Sequence, residues 1–358
     1  MIAGGGTGGH LFPGIAVAET LRRRDPEGAI LFVGSARGIE ARVVPETGFA
    51  LETLPIAPLR GQSVAARVPA LAALGAAIWR SRRLLARFAP DAVIGLGGYA
   101  SAPAVVAARL AGTPIVLLEQ NARPGVTTRA LARLADRVCV SFPESAARFS
   151  AVRAVVTGNP VRWRAPAEPA AARGRAGFTI LVFGGSAGAR RLNTAAPALL
   201  AGLAAMGDVR LIHQTGVTDE AAVRAAYGET ADVEVHAFIA DMGRAYAAAD
   251  LVICRAGATT VAELAGLGKP AILVPYPFAA DDHQRANAEA LVRAGAARMV
   301  LDAEATGERL AAEARELRTT PGALETMARS IRAFARPDAA DRIVDTVVEL
   351  VRRRGGGS

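Results

Sequence analysis

The chain opens Met1-Ile2-Ala3-Gly4-Gly5-Gly6-Thr7-Gly8-Gly9-His10, and the pattern returns in its second half as Phe178-Thr179-Ile180-Leu181-Val182-Phe183-Gly184-Gly185-Ser186-Ala187-Gly188-Ala189-Arg190. Each stretch reads as a strand, a glycine-rich turn and a helix start, the opening of a βαβ unit. Turns without side chains let backbone N–H groups and a helix N-terminus approach an anion closely, so both are candidate diphosphate cradles. The alternative for either one alone is a tight turn that serves only packing.

Outward from these two stretches, short β-branched runs alternate with longer Ala-, Leu- and Arg-rich helical patterns. The strand candidates are 29–33, 92–95, 115–118, 137–140 and 155–157 in the first half, then 178–183, 209–213, 233–236, 251–254, 271–274 and 298–300. Such alternation predicts the α/β class, with two Rossmann-like lobes built on parallel sheets. The segment 159–177 is rich in Pro, Ala, Gly and Arg without periodicity and reads as a linker. It separates an N-terminal lobe, 1–158, from a C-terminal lobe, 178–335. Three helical segments begin near Ala305, Pro321 and Ala339, and the last, with its tail, occupies 336–358. Only Met1, Ile2 and Ala3 precede the first glycine run, which is short for a strand expected at the centre of its sheet.

Composition narrows the function classes. With 358 residues, 51% hydrophobic and 21% charged, the chain can bury two ordinary cores. The net charge of +9 rests almost wholly on arginine, Lys269 being the single lysine, and aromatics are 5% and scattered. Without basic and aromatic residues interleaved along a surface, no nucleic-acid partner is expected, whereas a basic face against anionic lipid stays open. Cys139 and Cys254 lie far apart in apolar runs, as buried free thiols of a reducing compartment do. No stretch has the order of a signal peptide, and no run approaches roughly 18 uninterrupted apolar residues, so a soluble or peripheral protein is expected.

Three familiar patterns compete for the glycine turns. Gly4-x-Gly6-x-x-Gly9 matches the dinucleotide fingerprint, but the second strand ends Phe32-Val33-Gly34-Ser35 without an acid to take a ribose diol. Neither turn supplies the Lys-Ser/Thr pair of a P-loop. Gly184-x-Ser186-x-Gly188 matches a hydrolase nucleophile elbow, with Asp250 and His283 following in the required order, yet that reading gives the first half no task. A third segment decides more: after the strand 251–254 come Arg255-Ala256-Gly257-Ala258-Thr259-Thr260-Val261-Ala262-Glu263. A carboxylate on the first turns of a helix can accept two hydrogen bonds from a ribose diol while the turn's amides meet a phosphate, a combination suited to a nucleotide sugar. The alternative is that Glu263 only complements the helix N-terminus. Downstream, Asp281-Asp282-His283-Gln284-x-x-Asn287 gathers the polar groups that hydroxyl recognition needs.

Six segments in order, 4–10, 95–101, 119–121, 158–162, 184–190 and 255–263, make the chain resemble the MurG family, peptidoglycan enzymes that add N-acetylglucosamine to lipid-linked N-acetylmuramyl-pentapeptide. The resemblance covers almost the whole chain. It implies a GT-B-type fold, two lobes facing across a cleft, with UDP-N-acetylglucosamine held mainly by the second. Carried over by motif, Ser186 meets the diphosphate, Ile239 the uracil through its backbone, Glu263 the ribose, and Gln284 the sugar hydroxyls. The run Ala258, Thr259, Thr260, Val261 and Ala262 belongs to the same donor site. Asn121 and Arg162 line the donor side of the cleft, and Thr7, Gly8, Gly9 and His10 face the donor from the first lobe, where the acceptor's lipid diphosphate also sits. Leu118 stands where some relatives carry histidine and Ala187 where glutamine is common, and the second change leaves backbone contacts intact. Relatives of this fold include UDP-sugar epimerases and glycolipid synthases, which share the donor, and a non-enzymatic nucleotide-binding module is a further alternative.

The implied chemistry is direct displacement with inversion at the anomeric carbon. No Asp-x-Asp motif occurs in the chain, so neither a metal ion nor another cofactor is implied, and helix N-termini and turn amides are left to stabilise the departing diphosphate. His10 suits the general base because imidazole titrates near neutrality, and Glu119, an acid directly after an apolar strand, is its rival. A membrane-borne acceptor implies a peripheral enzyme on the cytoplasmic face of the bacterial plasma membrane. Leu74, Ile78 and Trp79 recur at helical spacing beside Arg80, Arg82, Arg83 and Arg87, either as a membrane contact or as an ordinary core-facing helix.

Overall fold

The computed structural model describes residues 1–56, 64–149, 154–161, 177–185, 188–228 and 232–355. Arg162, Ser186 and Ala187, like most of the segment 159–177, lie outside the described residues. The chain divides into two compact units, Met1–Arg162 with Arg336–Ser358, and Trp163–Ala335.

The first unit runs β1 (Ile2–Ala3), α1 (Gly8–Arg24), β2 (Leu31–Ser35), α2 (Glu40–Glu46), β3 (Ala50–Leu54), α3 (Val64–Phe88), β4 (Val93–Gly95) and α4 (Ala102–Ala111). It continues with β5 (Ile115–Glu119), α5 (Val126–Leu131), β6 (Arg137–Val140), α6 (Pro143–Ala146) and β7 (Ala154–Val156). All seven strands are parallel, in the order β3-β2-β1-β4-β5-β6-β7. β1 is only two residues long yet central: Ile2 and Ala3 pair with Phe32 and Val33 on one side and with Ile94 and Gly95 on the other. β3 has no counterpart among the strand candidates. It is the sheet edge, and Ala50, Leu51, Glu52 and Thr53 are exposed or half-buried, so it lacks the apolar run of a strand covered on both faces.

The second unit repeats the plan with β8 (Phe178–Phe183), α7 (Arg190–Leu203), β9 (Val209–Gln214), α8 (Glu220–Tyr227), β10 (Val233–His236), α9 (Met242–Ala248) and β11 (Leu251–Cys254). Then come α10 (Ala258–Leu267), β12 (Ala271–Leu273), α11 (His283–Arg293), β13 (Arg298–Met299), α12 (Gly307–Thr319) and α13 (Ala323–Arg332). Its parallel strands lie in the order β10-β9-β8-β11-β12-β13. In both sheets the strand that feeds the glycine turn is flanked by strands whose connections leave in opposite directions, the crevice where open α/β sheets bind ligands. The expected α/β class with two Rossmann-like parallel sheets is therefore what the chain adopts.

The last helix, α14 (Ala339–Gly355), belongs to the first unit and packs on α1. Ile343, Val344, Val347 and Leu350 share a core with Leu11, Ile15 and Val17, and truncating one such buried aliphatic to Ala typically costs about 2–5 kcal/mol. Arg23 and Arg24 pair with Asp341 at 3.0 and 2.7 Å at the exposed rim of that contact. Cys139 and Cys254 are buried free thiols, as expected from their strands.

Candidate active site

The first unit gathers its candidate residues at the carboxyl ends of β1, β4 and β5. Gly4, Gly5 and Gly6 have φ of +141°, +151° and +85°, a path open to glycine alone, and it delivers Thr7 as the extended N-cap of α1. Thr7 Oγ1 lies 3.0 Å from His10 Nδ1, and Thr7 and Gly9 are exposed while Gly8 and His10 are half-exposed. The imidazole lies against the turn after β4, where a Cβ at Gly97 would come within 3.2 Å of its Cδ2.

Glu119 is 2% exposed at the end of β5. Its Oε1 accepts from the Asn121 amide at 3.0 Å and from Asn121 Nδ2 at 3.3 Å, and its Oε2 accepts from the Gly125 amide at 3.1 Å. Burial pushes its carboxyl above the usual range, opposed by these bonds and one from Thr128. Such a carboxylate holds the 120–125 loop, and with it Asn121, in one conformation.

In the second unit the turn between β8 and α7 is pressed against the next strand's end. A Cβ at Gly188 (φ +76°) would lie 1.9 Å from the Thr215 carbonyl oxygen. Two buried side chains absent from the sequence reading join this turn to its surroundings. Gln214 donates from Nε2 to the Gly185 carbonyl at 2.9 Å and accepts at Oε1 from the Ile239 amide at 2.9 Å. The Ile239 N–H is thus engaged inside the protein. Asn193 donates to the Thr215 carbonyl and Asp219, both at 2.8 Å, and its Oδ1 lies 3.2 Å from His213 Nε2. Burial lowers the His213 pKa to about 4, which keeps that ring neutral.

The segment after β11 is braced on three sides. Arg255, 9% exposed, donates to the Val274 carbonyl at 3.1 Å and pairs with Asp302 at 2.6 Å. Gln284 Oε1 accepts from the amides of Ala256 at 3.2 Å and Tyr276 at 2.9 Å, and Asn287 donates to the Ala256 carbonyl at 3.1 Å. Asp281 and Asp282, with φ of +54° and +56°, bend the chain into α11 just before Gln284; strain of this kind at non-glycine residues concentrates at functional sites.

These braces present α10 with Gly257 as a bare N-cap that offers no side-chain bond, so the amides of Ala258, Thr259 and Thr260 face out of the helix end. Thr259 Oγ1 is buried without a hydrogen-bond partner. Glu263 lies on the same helix, its Oε2 accepting from Tyr246 Oη at 2.9 Å, and burial pushes its carboxyl up to about 7. Val261 is buried and packs inward; Ala262 is half-buried.

The hydrolase alternative fails on topology. Asp250 precedes β11 and accepts from the Thr179 amide at the start of β8 at 2.8 Å, whereas the turn holding position 186 follows the end of β8. Asp250 and the turn that opens at Gly184 thus stand at opposite ends of the sheet.

Comparison with known proteins bears on the whole chain. Residues 1–140 match the model of the glycosyltransferase family 28 N-terminal domain, and residues 179–343 match that of its C-terminal domain. The chain belongs to glycosyltransferase family 28. Within this family it is 48% identical to a protein of Geobacter sulfurreducens, over 99% of each chain, and 45% identical to one of Myxococcus xanthus, over 99% of this chain and 94% of the other. Both relatives carry the name UDP-N-acetylglucosamine–N-acetylmuramyl-(pentapeptide) pyrophosphoryl-undecaprenol N-acetylglucosamine transferase. Among solved structures, Acinetobacter baumannii MurG superposes with a TM-score of 0.80 at 34% identity, covering 98% of each chain. UDP-GlcNAc 2-epimerase from Neisseria meningitidis gives a TM-score of 0.69 at 14% identity, a likeness of fold alone. The family 28 chain is therefore a glycosyltransferase of the MurG type.

Proposed function

We propose that this family 28 enzyme moves N-acetylglucosamine from UDP-N-acetylglucosamine to undecaprenyl-diphospho-N-acetylmuramyl-pentapeptide, completing the lipid-linked disaccharide of peptidoglycan. The observation that carries the reading is the pairing, on α10, of an uncapped helix start with the Tyr246-braced carboxylate of Glu263. The first suits a diphosphate and the second a ribose diol. Amides of 258–260 and the turn around Ser186 take the diphosphate, the Ile239 carbonyl meets uracil, and Gln284, its oxygen committed to backbone amides, offers Nε2 to the sugar. Asn121 and Arg162 complete the donor contacts in this reading.

In the reaction the acceptor hydroxyl attacks the anomeric carbon as the bond to the diphosphate breaks, inverting the α-linked donor to a β-product. His10 accepts the hydroxyl proton. In the tautomer where Nδ1–H donates to Thr7 Oγ1, Nε2 carries the basic lone pair that takes the proton. Glu119 is the weaker base because both its oxygens already accept from the loop they hold. Developing charge on the leaving diphosphate is stabilised by helix-end amides set in place before the reaction. Incubating radiolabelled UDP-N-acetylglucosamine with the lipid-linked muramyl-pentapeptide should put label in the lipid fraction. Release of free UDP without lipid labelling would end the assignment.

The acceptor places the first unit against anionic lipid at the cytoplasmic face of the plasma membrane. No helix among the described residues is long and apolar enough to cross a membrane. On α3, Ile78 packs against the core and Leu74 is half-buried, so the exposed apolar group is Trp79, at 58%, with the Arg83 guanidinium 4.9 Å from its ring centre. Arg109, Arg133 and Arg354 border a depression of about 150 Å³ in the same unit, with Leu110 exposed beside it. Replacing Arg109 and Arg133 by Glu should cut flotation with phosphatidylglycerol vesicles by tenfold or more, at roughly 1 kcal/mol per charge near the surface. Trp79→Ala should weaken it further, and undiminished flotation of both variants would reject this face.

A further inference from the structure

The first glycine turn is shaped by a side chain whose task is not apparent from the sequence. Glu40 begins α2, five residues beyond the end of β2, and is fully buried. Its Oε1 accepts from the Ser35 amide at 2.8 Å and its Oε2 from the Gly6 amide at 2.7 Å. Bonds to an ionised acceptor are shorter and stronger than neutral ones, so the carboxylate ties the end of β2 to the turn after β1.

Three glycines make room for it. A Cβ at Gly5 would lie 2.3 Å from Glu40 Cδ, one at Gly34 2.5 Å from its Cγ, and one at Gly38 2.1 Å from its Oε2. Neither Gly34 nor Gly38 has a positive φ, so at these two positions the need for glycine comes from the Glu40 side chain and not from the backbone path. The carboxylate's specific effect is on the Gly4–Gly6 path, which an unrestrained glycine run would leave to many conformations. Immediately beyond the bonded Gly6 amide stand Thr7 and, one turn on, His10.

We propose that Glu40 is a positioning residue for the transfer reaction: through the Gly6 amide it fixes the turn that presents Thr7 and His10 to the acceptor. This rests on the reading of His10 as general base. It also accounts for the missing ribose acid of the first unit, since the acid near the tip of β2 faces inward with both oxygens engaged.

Glu40→Gln tests it, because the amide keeps the volume but sets an NH₂ donor against one of the two backbone donors. With the full chain, UDP-N-acetylglucosamine and the lipid-linked acceptor, kcat should fall on the order of 10²-fold, the cost of displacing a reacting group by about 1 Å. The Kd for UDP should stay within about twofold, since the residues assigned to uracil, ribose and diphosphate belong to the second unit. Gly38→Ala attacks the same contact from its other side. It should lower kcat in the wild-type background and add little once Glu40→Ala has removed the carboxylate. Wild-type kcat in Glu40→Gln, or additive effects of Gly38→Ala and Glu40→Ala, would overturn the proposal. So would a parallel fall of kcat, UDP affinity and thermal midpoint, which marks a purely structural role. His10→Ala run alongside separates the two readings. Should it lose turnover while Glu40→Gln keeps it, the role of Glu40 alone fails; should it keep turnover, the reading of His10 fails and carries this proposal with it.

Discussion

His10→Ala is expected to lower turnover by about 10²- to 10⁴-fold, the usual contribution of a general base, while leaving the affinity for UDP unchanged. The expectation follows from where the ring stands. It sits in the first turn of α1, half-exposed, with Nδ1 3.0 Å from Thr7 Oγ1 and its face on the Gly97–Gly98 turn. A side chain that only oriented the glycine turn would bury its ring and bond backbone amides, as Glu40 and Glu119 do. His10 is instead half-exposed, and its Nδ1 meets a side-chain hydroxyl and not a backbone amide. Steady-state kinetics on saturating donor, with UDP binding measured by calorimetry on the same sample, decides the matter. A loss confined to UDP affinity would reassign His10 to scaffold.

The sequence made the architecture readable because parallel strands covered on both faces must be continuous apolar runs, and 115–118, 178–183 and 251–254 are such runs. The same rule hid β3, whose Ala50-Leu51-Glu52-Thr53-Leu54 is half wet at the sheet edge. The candidate site was legible wherever backbone does the binding, since glycine turns and helix starts are local patterns. Its bracing was not. Gln214 reaches Ile239, Glu40 reaches Gly6 and Tyr246 reaches Glu263, pairs that only the folded sheet brings together. Spacing misled in the hydrolase pattern, where the order Ser186, Asp250, His283 is right but Asp250 lies at the amino end of its strand. Nor does helical spacing alone distinguish Ile78, packed on the core, from its exposed neighbour Trp79.

Glu263 carries the second large effect, and binding and stability should move in opposite directions. Glu263→Ala removes both acceptors offered to a ribose diol, and at about 1.5 kcal/mol or more for each bond to a charged group, UDP affinity should fall on the order of 10²-fold. The carboxyl is also costly to keep ionised, since burial raises it to about 7 and the Tyr246 hydroxyl only partly offsets that. The other titratable neighbours, Tyr246 and Cys254, are themselves pushed up by burial and stay protonated near neutrality. Because the folded value lies above the unfolded 4.5, the folded chain binds more protons in between, and stability declines as pH rises from about 4.5 to about 7. The separation corresponds to about 3 kcal/mol. Glu263→Gln, which still accepts from Tyr246, should therefore raise the thermal midpoint above pH 7, with the gain vanishing near pH 4.5. The donor wants the opposite state. Affinity for UDP-N-acetylglucosamine, whose diphosphate diester does not titrate near neutrality, should rise between pH 6 and pH 8 as the carboxylate forms, and that rise should be absent in Glu263→Gln. A wild-type affinity flat across this range, or a Glu263→Gln protein no more stable than its parent at pH 8, would show that the carboxylate is neither strained by its burial nor held for a ribose.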